Sequence, residues 1–527
     1  MAAESACPTE YLSVMLGRMK ISVLACALLL VPALGAQKIV APADARDRVD
    51  RIFARFHRAD GPGCAVGASI AGDTALSAAY GMADLEHDVA LRPDSIFEAG
   101  SVSKQFTAAA VLLLAQQGRL SIDDAIRKYF PELPDYGAPL TIRHLLNHTS
   151  GMRDWGSVEA IAGWPRTTRA YTQAHVLDIL SRQRALNYPP GAEYSYSNSG
   201  YNLAAMLVER VSGKPFVAFT REAIFMPLGM GSTSWRDDFH RIVKGRAIAY
   251  SESGGTVRQL MPFEDVHGNG GLLTTVGDLL KWNQNFTTAT VGGRALLEQQ
   301  VQQAKLTDGR TIAYAAGLMV LHYKGRNEVS HSGTTAAYNA WLGRYPDQGL
   351  SVAVLCNSSA ANGTQLGRAV ADVFLGDAPA AAPAAQSAGA ATPGMYRSLR
   401  DHSVLRVAAD SRNEFSGDRM RVRSEMDGGT WYERVEPWTP APADLASLAG
   451  EYSSDEAEVT LRVALEHAQL VIHRRPDASI ALTPTYKDAF NSSLGVVRFL
   501  RDSAGKVTGL SVSESRVWDL RFRSVGR

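Results

Sequence analysis

The chain has little cysteine and almost no net charge: 4 cysteines among 527 residues, a formal charge of +1, and only 20% Asp, Glu, Lys and Arg. A near-neutral balance argues against a general nucleic-acid or anionic-membrane binder, either of which needs a basic face. Cys7 and Cys26 lie in the N-terminal stretch, which leaves Cys64 and Cys356, too few for a disulfide framework or a thiolate zinc site. No closely spaced set of His, Asp and Glu argues for a metal, and no cofactor is expected. Spanning-length apolar runs are lacking too. The run Ile21–Ala36 is shorter than the ~20 residues a membrane helix needs, and Pro32 interrupts it.

What that run does have is Arg18 and Lys20 before it and small residues, Gly35 and Ala36, at its end. It reads as a secretory signal peptide over residues 1–36, with Met19 as a second candidate start. The expectation is an exported protein, periplasmic or secreted, with no stable membrane span after cleavage. The length is too great for one ordinary core, so at least two domains are expected.

Residues 43–58 place Val49, Ile52, Phe53 and Phe56 on one helical face. Two strand-like runs follow, 64–70 and 74–80, joined as a hairpin by Ala71-Gly72-Asp73. From about 121 to 230 the pattern is mostly helical, with Thr141 and Thr172 as N-caps. Thr275 caps a further helix, with Asp278 in the capping-box position. Strand signals return at 317–323, 328–332, 338–345 and 350–356, before a last helix over 363–375. Strands at both ends with helices between make an α/β domain over 43–376. Residues 377–393 are rich in Ala and Pro and read as a linker with no apolar face. Beyond it the apolar period becomes two (Val459/Leu461/Val463, Leu470/Ile472, Leu510/Val512, Trp518/Leu520/Phe522). This predicts a separable antiparallel barrel-like domain over 394–527, whose opening part, 395–435, is less regular.

Chemistry concentrates at three separated places. Ser101-Val-Ser-Lys104 precedes the apolar run Ala108–Ala115, which ends at Gly118. A core helix holds its N-terminus rigidly, and free N–H groups there favour developing negative charge. Lys104, three residues on, returns to the face of Ser101; buried, it is driven toward the neutral form that accepts a serine proton. Taken alone the pattern also fits an N-cap beside a solvated lysine, and Ser503-Ala-Gly-Lys506 has the same spacing in what reads as a polar turn. Tyr196-Ser197-Asn198, in a loop at a helix start, adds a tyrosine that can exchange protons with the serine. His331-Ser332-Gly333-Thr334, on a predicted strand, adds a close backbone approach at Gly333. The Thr334 N–H can complete an oxyanion hole with that of Ser101.

Together these residues resemble the serine β-lactamase and penicillin-recognising family, on the side of class C β-lactamases, D-alanyl-D-alanine carboxypeptidases, D-aminopeptidases and related esterases. The segments 145–151 (LLNHTSG), 190–198 (PGAEYSYSN) and 268–272 (GNGGL) are similar to that family as well. The resemblance covers roughly 50–376 and implies an antiparallel sheet flanked by helices, with a mostly helical insert. It also implies an acyl-enzyme: Ser101 attacks, Lys104 and Tyr196 move protons, and Asn198, His331, Gly333 and Thr334 contact substrate. The C-terminal part resembles the lipocalin-like barrels appended to several such enzymes.

The expected substrates are therefore small molecules or short peptides, with amide or ester bonds of D-amino-acid compounds foremost. A true β-lactamase or carboxypeptidase, and a non-catalytic penicillin or peptidoglycan sensor, are the alternatives. Where β-lactamases and carboxypeptidases begin the third motif with lysine, this chain has His331, as in the D-aminopeptidase and esterase branches; neutral imidazole offers no fixed charge to a carboxylate. The family's sheet sets its first strand antiparallel to its last, which implies that Cys64 and Cys356 are neighbours. Directly opposed strands rarely meet the geometry of a disulfide.

Overall fold

A computed structural model describes residues 39–376, 392–408 and 413–526. The expected leader (1–36) and most of the expected linker (377–393) lie outside the described residues. The central sheet is six-stranded and antiparallel, in the order Met319–Tyr323, Arg326–Thr335, Tyr338–Tyr345, Leu350–Cys356, Cys64–Ile70, Asp73–Tyr80. Strand periodicity sends alternate side chains into two cores. Ala65, Leu342, Ala353 and Leu355 face one; Cys64, Val66, Trp341, Val352 and Val354 face the other. The helix Val276–Thr288 covers the first face, close enough that a Cβ on Gly67 would lie 3.0 Å from Leu280. The helices Ala45–Ile52 and Gly363–Leu375 cover the second. The early helix is shorter than the sequence predicts, ending in a 3₁₀ turn at Ala54–Phe56.

Cys64 and Cys356 are direct partners across the first and last strands, and a disulfide joins them. The expected proximity holds, and the bond forms despite the usual difficulty for opposed strands. Thiol titration of the denatured, unreduced mature protein is therefore expected to find no free thiol, and two after reduction; two free thiols before reduction would show the bond absent.

Between the sheet's early and late strands lies the helical insert. Thr141 and Thr172 cap the helices Ile142–Leu146 and Gln173–Arg182 through capping boxes whose return partners are His144 and His175. Thr275 also caps its helix, but Asp278 does not complete a box: its carboxylate accepts from Ser232 N and Thr233 Oγ1, at 2.9 Å each. The Thr233 hydroxyl and the Ser232 N–H engage that carboxylate in place of the helix start. The helix Gly293–Gln300 has no counterpart in the sequence reading; its short apolar stripe is too brief to stand out.

The C-terminal part holds two sheets. Residues 394–435 make a five-stranded sheet of their own, and 450–525 make the nine-stranded, nearly closed barrel. Its two edge strands, Ala478–Ala481 and Thr483–Pro484, are separated in sequence only by Leu482. All the described residues belong to one compact unit. Arg153, buried in the insert, donates to Glu456 at 2.5 Å and to the Asp519 carbonyl at 3.2 Å; Asn187 exchanges bonds with the Arg516 carbonyl (3.0 Å) and the Trp518 N–H (2.8 Å).

Candidate active site

The site assembles where the helix Lys104–Gln116 meets the edge of the central sheet. A 3₁₀ turn, Gly100–Ser103, leads into that helix. It is stitched by Ser103 Oγ, which donates to the Gly100 carbonyl (2.6 Å) and accepts from Leu272 N (3.1 Å). The strand Arg326–Thr335 outruns its outer neighbour, whose pairing stops at Ser330, so its last residues present a bare edge to the turn. The approach is so close that a Cβ on Gly333 would sit 2.0 Å from the Ala99 carbonyl oxygen and 2.9 Å from Ser101 N. Only glycine fits there. Gly100 faces the same contact from the other side, at φ 51°, with Thr334 N 2.7 Å from where its Cβ would be.

Lys104 is fully buried, and its Nζ has three partners: Ser101 Oγ at 3.1 Å, Asn198 Oδ1 at 2.9 Å and the Asn269 carbonyl at 2.6 Å. Burial, reinforced by the charge of Arg516, pushes its pKa well below the ordinary lysine value. A neutral amine has two N–H groups and one lone pair. Asn198 and Asn269 take the two N–H groups, which leaves the lone pair for the Ser101 hydroxyl. Tyr196 lies beside this pair, with Lys104 Nζ 4.9 Å from its ring centre. Its hydroxyl is buried and makes no hydrogen bond of good geometry. Burial raises its pKa above the ordinary value, while the neighbouring Ser101 hydroxyl and the Arg516 charge act the other way.

Asn198 is the first residue of the helix Asn198–Ser212, and its N–H donates to Asp154 Oδ2 at 2.7 Å. His148 holds the Tyr196 loop: Nδ1 accepts from Ser197 N at 3.2 Å, and its ring lies 4.2 Å from that of Tyr196. His148 and Asn269 fall in segments that resemble the family, but their parts in the site were not anticipated. An aromatic or a backbone carbonyl gives no local sign of what it will touch.

His331 reaches the site wall with both ring nitrogens engaged. Nδ1–H donates to the Ser332 carbonyl at 2.6 Å, so Nε2 accepts from the Tyr314 hydroxyl at 2.8 Å. Burial and the nearby Lys104 lower its pKa to about 3, so it is neutral at working pH. Ser101, Tyr196, Asn198, His331 and Thr334 line one cavity of about 370 Å³ together with Arg166 and Arg516. The decoy Ser503–Lys506 is an exposed turn held by the Asp502 carboxylate. Asp84, Glu86 and His87, passed over in the sequence reading, offer ligand atoms within 4.8 Å of one another. They sit on a mostly exposed turn and do not line this cavity, and Asp84 already accepts from His87 Nδ1 at 2.8 Å.

Residues 49–375 match the family described as Beta-lactamase. Among curated proteins, the chain is similar to penicillin-binding protein 4* of Bacillus subtilis (strain 168), 30% identical over 302 residues, 54% of this chain and 66% of that protein. It thus spans just under two thirds of that relative. It is also similar to a D-aminopeptidase of Brucella melitensis biotype 2, 25% identical over 499 residues, 86% of this chain and 93% of that one. Among solved structures, the octameric penicillin-binding protein homologue from Pyrococcus abyssi shares the fold, with a TM-score of 0.56 and 20% identity over 91% of this chain and 99% of that one. Among the described residues, no helix is long and apolar enough to cross a membrane.

Proposed function

Because the chain belongs to the Beta-lactamase family and is a serine hydrolase, we propose that it cleaves amide or ester bonds of small D-amino-acid compounds through an acyl-enzyme on Ser101. The observation that carries this reading is the Lys104 amine, buried, hydrogen-bonded to Ser101 Oγ and anchored by Asn198 and Asn269. The D-configuration is suggested by the similar D-aminopeptidase.

Ser101 Oγ attacks the carbonyl carbon as Lys104 takes its proton. The carbonyl oxygen, now an oxyanion, is met by the N–H groups of Ser101 and Thr334, which the glycine approach at 333 and 100 brings side by side. Tyr196 relays the proton to the departing nitrogen or oxygen, which leaves as amine or alcohol. Water then attacks the acyl carbon, with the same groups taking its proton, and releases the carboxylic acid with Ser101 restored. Asn198 orients Lys104 and hydrogen-bonds the substrate, and His331 shapes the wall without adding charge.

The proposed organisation is an exported chain: a cleaved leader over 1–36, the hydrolase domain over 43–376, the linker and the C-terminal β domain. Export is supported by the pattern around Ile21–Ala36 and by the disulfide, which an oxidising compartment sustains. N-terminal sequencing of protein from the cell exterior or periplasm, starting near residue 37, tests it.

A panel of D- and L-amino-acid p-nitroanilides, p-nitrophenyl esters and a chromogenic cephalosporin tests the reaction. Turnover of the D-configured amides or esters is expected, with an acyl adduct on the Ser101 peptide. No acylation by any of them would overturn the reading, and stoichiometric acylation without release would replace it with a sensor.

The acid limb of kcat/KM should follow Lys104, which must be neutral to act. Since its pKa is lowered, activity is expected to fall with decreasing pH only well below 10.5, the ordinary lysine value. His331, already neutral above about 3, should add no inflection between pH 5 and 8. A limb that moved with substitution of His331 by glutamine would contradict this.

A further inference from the structure

A two-residue hairpin of the barrel points into the hydrolase site. The strands Val507–Glu514 and Val517–Val525 are joined by only Ser515 and Arg516, and Arg516 lines the same cavity as Ser101. The hairpin tip is clamped onto the insert through its backbone: the Arg516 carbonyl accepts from Asn187 Nδ2 at 3.0 Å and from Asp154 N at 3.3 Å. The guanidinium lies 5.0 Å from the Tyr196 ring centre. Among the described residues, no carboxylate oxygen lies within 4.0 Å of its guanidinium nitrogens. The other cation on the wall, Arg166, is already paired with the Glu264 carboxylate, and no Asp or Glu lines the cavity.

The site thus has a neutral third motif, because both nitrogens of His331 are engaged, and one uncommitted fixed charge, supplied from another part of the chain. A guanidinium presents a planar fork of donors that matches a carboxylate, and here it is half-buried beside aromatic rings, where solvent screens it less. It repels a free α-ammonium group at the same wall. We propose that Arg516 is the carboxylate-recognition residue of this hydrolase, selecting anionic substrates, such as D-peptides or depsipeptides with a carboxylate in the leaving group, over neutral or cationic ones. This rests on the hydrolase reading of the site.

The test is a pair of N-benzoyl-D-alanyl thioesters, one with thioglycolate as leaving group and one with its carboxamide, so that the bond broken is identical and only the charge differs. Released thiol is followed by a chromogenic disulfide, and the acyl-enzyme by intact mass. Wild type is expected to favour the carboxylate, and Arg516→Gln to lower the carboxylate-to-carboxamide ratio of kcat/KM by about 10- to 100-fold. Arg516→Lys should retain part of the preference. An unchanged ratio overturns the proposal. So does an equal loss on both substrates with a shifted pH profile, which would make Arg516 a tuner of Lys104 and Tyr196. If wild type is acylated by neither thioester nor by any member of the panel above, the hydrolase reading itself has failed, and this proposal with it.

Discussion

In the Ser101→Ala variant, turnover of every substrate the enzyme accepts is expected to fall by about 10⁴- to 10⁶-fold, and covalent labelling by a phosphonate probe to vanish. Other hydroxyls line the cavity, including those of Ser332, Thr334 and Thr335. None can stand in, because Ser101 Oγ alone among them is hydrogen-bonded to Lys104 Nζ. What remains in the variant is binding and the oxyanion donors. The fold should be intact, since Ser101 is partly exposed and Lys104, which loses one partner, keeps Asn198 and Asn269. Ser503→Ala, in its exposed turn, serves as the control and should be silent. Wild-type turnover in Ser101→Ala would remove Ser101 from the mechanism.

The largest loss of stability is expected at Glu98, three residues before the serine. Its carboxylate is fully buried and takes two hydrogen bonds from Arg236, at 2.8 and 3.1 Å, and Arg236 is itself only 1% exposed. Arg236 also approaches Glu264 at 3.6 Å, and Glu264 holds Arg166 at the cavity wall. Removing one member of a buried pair leaves the other charged and desolvated, which costs about 3–5 kcal/mol. Glu98→Leu should therefore lower the midpoint of chemical unfolding sharply. It should also weaken catalysis, because Phe97–Glu98 is the short strand that hands the chain to the Ser101 turn. The double variant Glu98→Leu/Arg236→Met, which removes both charges, should recover much of the loss. A single variant within about 0.5 kcal/mol of wild type would show that the pair is dispensable.

The site was legible where its chemistry sits in short, spaced motifs. Ser101 and Lys104 meet through helical spacing, and Asn198, whose part the family resemblance implied, reaches Lys104 from the start of its own helix. The barrel strands were legible for a similar reason, since period-two patterning such as Val459/Leu461/Val463 does not depend on the partner. What could not be read depends on approach in three dimensions. The Asn269 carbonyl is backbone and has no letter of its own. Glu98 lies three residues before Ser101, yet its partner Arg236 is 138 residues away. Arg516 stands in a turn of the part where the pattern spoke only of strands, and nothing local separates it from any other turn arginine. The Met395–Val435 segment failed for a different reason: its strands are short and several are half-buried on both faces, so no clean alternation exists to be read.

The order of strands in the central sheet has a consequence for the chain as it is made. The first strand, Cys64–Ile70, finds its partner only in the last, Leu350–Cys356, and Cys64 and Cys356 are 292 residues apart. At roughly 5–20 residues per second, the ribosome needs on the order of 15–60 s between them. Throughout that interval the opening hairpin exposes one whole edge, and its apolar face has only part of its cover. The helical insert, made of local contacts, can condense while the hairpin waits. Newly made chain is thus held for most of its synthesis with an unpaired strand at its leading end, the state that holdase chaperones recognise and that a prematurely ended chain never leaves.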